Sequence, residues 1–168
     1  VCVCVCVCVC VFVQEFDNFA TIYVTDKGQR INVMLFDMAG QEHLIEYRVL
    51  NYDDTDCCVL CYSCVNYGSL ENLKSKWIQE VNKYAKPGAL KVVLGLQSDI
   101  VMEHRRLGQA TVPEQEGKEV AKHIGGTYLG QFSAITATEG DVQRMLGTIV
   151  NQTLAAQQKK HLEDVKEW

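Results

Sequence analysis

Short apolar runs alternate along this chain with longer segments of helical spacing. Each run is β-prone and short, and is bounded by polar or turn-forming residues, as buried strands are. The strand-like runs are residues 21–24, 31–36, 57–64, 90–96 and 128–132. Asp26-Lys27-Gly28-Gln29 separates the first two and is typical of a hairpin turn, in which Gly28 supplies the positive φ. We therefore expect an antiparallel pair of strands followed by three further strands.

Apolar residues at helical spacing predict three helices between and after these strands. The first runs from Ser69 to the stop signal Pro87-Gly88. The second begins at Pro113 and stops at Gly125-Gly126, and the third begins at Gly140.

Three other stretches lack a clear period. We expect residues 43–56 to be loosely helical or irregular, residues 100–112 to be a polar connection, and the charged residues 157–168 to fray. After the hairpin, the order is strand, helix, strand, helix, strand, helix. This order predicts an α/β fold, with a mostly parallel sheet and helices on both faces.

Polar residues stand just past the ends of three of the strand-like runs: Asp37, Asp99 and Ser133. The carboxyl ends of parallel strands form the edge where α/β sheets bind ligands. Asp37 is followed by Gly40 and Gln41. A carboxylate can face a metal ion, a glycine N–H can approach a terminal phosphate without a Cβ in the way, and a glutamine can orient an attacking water. The loop after Asp37 therefore favours a phosphate site.

Composition narrows the class of protein. The length of 168 residues indicates one domain with a sizeable core, and the 48% hydrophobic content excludes wholesale disorder. The net charge of −5, without a basic cluster, argues against a nucleic-acid partner. No apolar run approaches the roughly 20 residues of a membrane span. The nine cysteines crowd into residues 1–11 and 57–64 rather than forming a disulfide framework, so we expect a reducing, cytoplasmic location.

The cysteine-rich stretches invite a metal-site interpretation. Residues 1–11 are a strict Val-Cys repeat, which favours a strand with five cysteines on one face. Because GTG-TGT encodes Val-Cys, we favour an assembly artefact or a decayed first exon in place of other sequence. Cys58, Cys61 and Cys64 have a metal-like spacing, but an extended strand would not point all three the same way. We expect them to be buried as small hydrophobes.

Several spaced motifs together resemble a Rho-family small GTPase over about residues 16–154. They are Phe16-Asp17-Asn18-Phe19, similar to the second half of the Rho switch I; residues 37–42, similar to DTAGQE; residues 52–56, similar to YPDTD; residues 69–81, similar to SLEN…KW..EV; residues 95–99, where the guanine-reading [NT]KxD belongs; and Ser133-Ala134. The resemblance implies the small-GTPase architecture, which is P-loop NTPase-like.

The same resemblance implies roles for the matching residues. Asp37 would hold Mg²⁺ through water, the Gly40 N–H would meet the γ-phosphate, and Gln41 would position the attacking water. Asp99 would accept two hydrogen bonds from guanine.

Two further groups of residues follow from the resemblance. Gln97 stands where the lysine of the guanine motif belongs, and the Ser133-Ala134 backbone would contact the guanine carbonyl. Phe16, Asp17 and Asn18 would face effector proteins.

The chain departs from the family mainly where phosphate and metal would bind. No G-x-x-x-x-G-K-[ST] phosphate loop occurs in the sequence; the Val-Cys repeat replaces the first strand, and the first helix is missing. Gln14 aligns with the Mg²⁺-ligating threonine, Met38 replaces a threonine, and Leu96 replaces a polar residue. The terminal Lys166-Glu167-Trp168 carries no prenylatable cysteine, so we expect no membrane anchor in these residues.

Residues 12–156 are thus interpreted as a Rho-like domain, between the repeat of residues 1–11 and a charged tail of residues 157–168. The resemblance implies binding and hydrolysis of GTP with Mg²⁺, and signalling to the cytoskeleton through Rho-type effectors and regulators. The departures predict that these activities are impaired. A non-catalytic pseudo-GTPase binding module, a non-functional remnant and a metal-thiolate protein are the alternatives.

Overall fold

A six-stranded sheet is the centre of the molecule. The computed structural model describes residues 2–9, 17–38, 40 and 44–166. The strands are β1 (Cys2–Val9), β2 (Asp17–Val24), β3 (Arg30–Met38), β4 (Cys57–Ser63), β5 (Leu90–Leu96) and β6 (Thr127–Gln131). Their order is β2-β3-β1-β4-β5-β6; β2 is antiparallel to β3, and the other neighbours are parallel. The α/β fold with a mostly parallel sheet is confirmed.

Helices follow each strand from β3 onward. They are α1 (Ile45–Tyr52), α2 (Tyr67–Asn72), α3 (Ile78–Tyr84), α4 (Val101–Arg106), α5 (Glu114–His123) and α6 (Glu139–Lys166). A π-helical turn, Leu73–Trp77, joins α2 to α3, and a 3₁₀ turn, Ser98–Ile100, precedes α4. None of the described helices combines the length and the apolar character that crossing a membrane requires.

The Val-Cys tract forms β1, which lies between β3 and β4. Val5 is in register with Leu35 on one side and with Cys57 on the other. The side chains of Val3 and Val5 are completely buried. The described residues contain no helix between β1 and β2, and residues 10–16, which join these strands, lie outside the described part.

Strand β4 is buried along its whole length and separates two hydrophobic cores. Cys58 and Cys64 belong to the core under α1, α2, α3 and α5, whereas Cys57 and Cys61 belong to the core under α6. The prediction that Cys58, Cys61 and Cys64 do not share a face is therefore confirmed. Burial raises the pKa of the Cys57 thiol to about 12, so this thiol is neutral at physiological pH.

Two sequence-based boundaries were wrong. Residues 101–106 form α4 rather than part of a polar connection; Val101 is the one residue of this helix that is buried, so no apolar period reveals it. The helix expected to begin at Ser69 begins at Tyr67. The Ser69 hydroxyl accepts a hydrogen bond from the Ser63 N–H (2.8 Å) and donates to the Asn66 carbonyl (2.7 Å). It therefore ties the helix to β4 instead of capping it.

The final helix extends in both directions beyond its expected core. It begins at Glu139, one residue before Gly140, and continues to Lys166. The tail expected from residue 157 thus begins inside α6. The Gln157 amide donates to Asp56 Oδ1 (2.9 Å), which also accepts from Lys86 Nζ (2.5 Å).

A tyrosine pair packs against a glycine of α5. The hydroxyls of Tyr62 and Tyr128 are 3.1 Å apart. A Cβ on Gly117 would collide with the Tyr62 hydroxyl and would lie 2.6 Å from Tyr128 Cε2. This position therefore requires glycine for close approach rather than for backbone freedom.

A buried ion pair fastens α1 to α3. Arg48 donates from Nε to Glu80 Oε1 (2.8 Å) and from Nη2 to Glu80 Oε2 (2.9 Å). The Tyr52 hydroxyl donates to the same Oε1 (2.8 Å), and the Arg48 guanidinium lies 4.9 Å from the centre of the Trp77 ring. The side chains of Arg48 and Glu80 are 2% and 11% exposed, so the pair is almost completely desolvated.

The substitution Gly117→Ala is expected to lower the free energy of unfolding by about 1–3 kcal/mol, because the tyrosine pair must shift to admit the methyl group. Gly140→Ala is the matched control, since the nearest atom to a Cβ there is Arg144 Nη1 at 3.5 Å. The control should be neutral or up to about 1 kcal/mol stabilising. Urea denaturation monitored by circular dichroism measures both, and equal effects would refute the packing argument.

Arg48→Met is expected to destabilise the protein by about 3–5 kcal/mol, because it leaves the Glu80 carboxylate buried without its guanidinium. The double variant Arg48→Met, Glu80→Met should recover much of this loss, because it removes both charges. Chemical denaturation of both variants and of Glu80→Met provides a double-mutant cycle. Additive effects of the two substitutions would contradict a coupled pair.

Candidate functional site

The strands β3, β1, β4, β5 and β6 all run in the same direction. Their carboxyl ends therefore lie together along one side of the sheet, which is called the carboxyl edge below. Asp37 is the penultimate residue of β3 and is half-buried. Its register partners are Val7 of β1 and Asp17 of β2. The pairing therefore places the switch I-like segment beside the carboxylate expected to serve a metal ion.

Some of the predicted phosphate and effector residues can be located beside Asp37, and others cannot. Gly40 is half-buried just after β3, and Asn18 is exposed on β2, opposite Phe36. The predictions for Gln41 and Phe16 fall on residues outside the described part of the chain.

Gln97 takes an unusual backbone conformation directly after β5. Its φ of 62° and ψ of 38° lie in the left-handed region, where no other described non-glycine residue has its φ. The Ser63 hydroxyl donates to Gln97 Oε1 (2.5 Å) and accepts from the Val65 N–H (3.3 Å). Ser63 thus holds the Gln97 side chain against the end of β4.

Ser63 is a site residue that sequence reasoning missed. Like Asp37 and Asp99, it stands at the carboxyl end of a strand-like run. That position is the available signal, but the apolar run extends to Cys64 in the sequence and so hides the end of the strand at Ser63.

Hydrogen bonds join the loop that carries Asp99 to the loop that carries Ala134. The Ser98 N–H donates to the Phe132 carbonyl (3.2 Å), and the Phe132 N–H donates to the Gly95 carbonyl (2.8 Å). Asp99 lies in the 3₁₀ turn after Gln97. The structure therefore brings together four residues that the sequence assigned to one base site: Gln97, Asp99, Ser133 and Ala134.

The Ser133 side chain stabilises the loop that carries Ala134. Its side chain is buried, and its Oγ accepts hydrogen bonds from the N–H groups of Ile135 (3.2 Å) and Thr136 (3.2 Å). Ala134 is exposed at the tip of the turn. The turn thus keeps a backbone segment at the surface beside Asp99.

One end of this group of residues offers both an acceptor and a donor to a ligand. A carboxylate at Asp99 can accept from the base, and an exposed backbone amide such as that of Ala134 can donate to its carbonyl. At the other end, Asp37 and Gly40 follow β3, but the chain contains no phosphate-loop sequence. The two ends of the group thus differ, because polar groups are present at Asp99 and Ala134 whereas the sequence near Asp37 has no phosphate-loop motif beside it.

The described cysteines do not form a metal centre. Among the residues that the structure describes, no three His, Cys, Asp or Glu side chains converge in a way that suits a metal ion. The side chains of the cysteines in β1 lie outside this description.

Comparison with known proteins finds a matching family and a similar protein. Residues 13–155 match the Ras family. The Rho-related protein racL of Dictyostelium discoideum is 34% identical over 127 residues, which are 72% of this chain and 64% of that protein. The match thus spans less than two thirds of the length of this relative.

Ser133→Ala is expected to destabilise the protein by about 1–2 kcal/mol, because two backbone N–H groups lose their buried acceptor. Amide exchange should accelerate at Ile135 and Thr136 and remain unchanged in β3. Hydrogen exchange followed by NMR measures this. Thr136→Ala is the control, because Thr136 is exposed on the same loop. Unchanged exchange at Ile135 in the Ser133 variant would contradict the assigned role.

Proposed function

Because the chain belongs to the Ras family of small GTPases and is of the Rho type, we propose that the edge formed by Gln97, Asp99, Ser133 and Ala134 is the base-binding half of a guanine-nucleotide site. We propose further that binding and hydrolysis of GTP are impaired in these 168 residues. The activity of the family is thus assigned to this chain in weakened form.

The observation that carries the proposal is the hydrogen bond from the Ser98 N–H to the Phe132 carbonyl (3.2 Å). It holds the Asp99 loop and the Ala134 loop side by side at the edge where β3 presents Asp37. Asp99 would accept two hydrogen bonds from guanine, and the backbone at Ala134 would donate to the guanine carbonyl. Gln97 would line the base from its strained position after β5.

The lack of a phosphate-loop sequence supports the proposed impairment of GTP binding and hydrolysis. In the family, a phosphate loop supplies several charge-assisted hydrogen bonds, each worth about 1.5–3 kcal/mol. No such loop occurs in this sequence. Asp37 would hold Mg²⁺ through water and Gln41 would orient the attacking water, but without a held phosphate neither group acts on a fixed target. The ion itself would supply charge neutralisation at the phosphates.

Proposed partners are effector and regulatory proteins of Rho-type signalling. Asn18 and Phe19 are exposed on β2, which is an edge strand of the described sheet. An exposed edge strand with an apolar side chain such as Phe19, which is 56% exposed, is suited to contact with another protein. Asp17 begins the same strand and Phe16 precedes it. We propose a cytoplasmic location, where such partners occur.

A second candidate is a pseudo-GTPase that binds partners without a nucleotide cycle. The buried Arg48–Glu80 pair favours it, because the pair anchors α1, the first helix after the Asp37 loop, independently of any nucleotide. A chain that neither binds nucleotide nor engages a partner would instead be a non-functional remnant.

The impaired site predicts that GTP, GDP and guanosine bind with similar, weak affinities, because the contacts to the base are common to all three. No GTP hydrolysis should be measurable with Mg²⁺ present. NMR titration should show shifts at Ala134 and Ile135, and Asp99→Ala should abolish them. Asp54→Ala is the control, since Asp54 is exposed and precedes β4, at the amino-terminal ends of the parallel strands.

The outcomes of this experiment are distinct. Nanomolar GTP binding would overturn the proposed impairment and restore the full activity of the family. Absence of any shift with guanosine would refute the base-binding half and leave the pseudo-GTPase as the better candidate.

A further inference from the structure

A groove of about 400 Å³ lies between the carboxyl halves of β5 and β6 and the amino-terminal part of α6. Ser98 and Ser133 contribute to its wall, whereas Asp99 and Ala134 do not line it. The groove therefore adjoins the proposed base site and shares Ser133 with it, whereas the two residues proposed to contact guanine lie outside its lining. Its volume lies within the range of small-molecule sites.

The groove is open because one helix crosses a wide sheet. Of the described helices, α6 alone contributes side chains to the core on this face. Tyr23 of β2 contacts α6 closely at Gly147, where a Cβ would lie 2.6 Å from the Tyr23 hydroxyl. The helix therefore runs away from β6 towards β2, so no other described helix covers the sheet beside its first turns.

The floor of the groove is apolar and includes an aromatic ring. Leu129, Phe132 and Met145 line it, and each is only partly buried although it packs on the core. Ring–ring contact with Phe132 and sulfur–aromatic contact with Met145 would both favour an aromatic guest over an aliphatic one.

The rim of the groove carries an arginine close to the start of a long helix. Arg144 is paired with Asp141 Oδ1, and its side chain is 74% exposed. Asp141 Oδ2 in turn accepts from the hydroxyl (2.6 Å) and the backbone N–H (2.9 Å) of Thr138. These hydrogen bonds partly satisfy the aspartate, and a guanidinium has five N–H donors, so Arg144 can bind a further acid group. The positive end of the α6 dipole adds to the attraction for an anion.

We propose that this groove is a second ligand site, which takes a small aromatic anion. The ring lies on Phe132 and Met145, and the acid group faces Arg144. Asp99 and Ala134, which are proposed to contact guanine, do not line this groove, so the two proposals can be tested separately.

The probe for this site is 8-anilinonaphthalene-1-sulfonate, which combines aromatic rings with one sulfonate. Its fluorescence should rise saturably, with one molecule bound per chain. Arg144→Gln should weaken binding about tenfold, because it removes a charge-assisted hydrogen bond. Thr148→Trp should abolish binding, because this exposed groove residue would then fill the space. Binding of the uncharged N-phenyl-1-naphthylamine should be unaffected by Arg144→Gln.

Matched controls distinguish binding in this groove from non-specific binding of the dye and from binding at the base site. Arg105→Gln removes an exposed arginine outside the groove and should leave the affinity unchanged, as should Asp99→Ala. Cooperative thermal unfolding of each variant establishes that it is folded. Binding that is unsaturable, or equal in the wild type, Arg144→Gln and Thr148→Trp, would overturn the proposal.

Discussion

The need to cover both faces of a parallel sheet is the constraint on which this structure depends. A parallel strand that is buried on both sides cannot present polar side chains to either, and β4 meets this condition along its whole length. Its small cysteines and its larger Leu60 and Tyr62 fill two cores with different neighbours. The helices on one face are held by α1 and α3 through the Arg48–Glu80 pair, whereas the other face depends on α6.

The same constraint produces the functional edge. Strand residues that are buried on both faces are mostly apolar, so polar side chains collect where the strands end, and parallel strands end together. Asp37, Ser63, Gln97 and Ser133 are all placed in this way. The loops that carry them are joined by backbone hydrogen bonds, such as that from Ser98 to Phe132, so the edge does not rely on a bound ligand for its shape. This explains how the proposed base-binding residues can keep their arrangement in a chain without a phosphate-loop sequence.

Sequence reasoning succeeded where a single period or a local motif decides the structure. The limits of β5 were correct, because its apolar run is bounded sharply, and the hairpin before β3 was correct, because Gly28 permits the turn with its φ of 76°. It failed at α4, where Val101 is the one buried residue, and at the start of α2, where the Ser69 hydroxyl bonds to the end of β4 instead of capping the helix. The boundary at residue 157 falls within α6, whose Gln157 contacts Asp56 across the fold.

By itself, the sequence determined the fold class, the family, and the residue types available at the carboxyl edge. These depend on local composition, because hydrophobic period and spaced motifs are properties of the linear chain. Only the tertiary structure decided which of these residues meet. It placed Ser63 against Gln97, set Asp17 in register with Asp37, and left a groove beside α6. Such contacts join residues far apart in sequence, and their geometry follows from how helices cross the sheet, which no local pattern records.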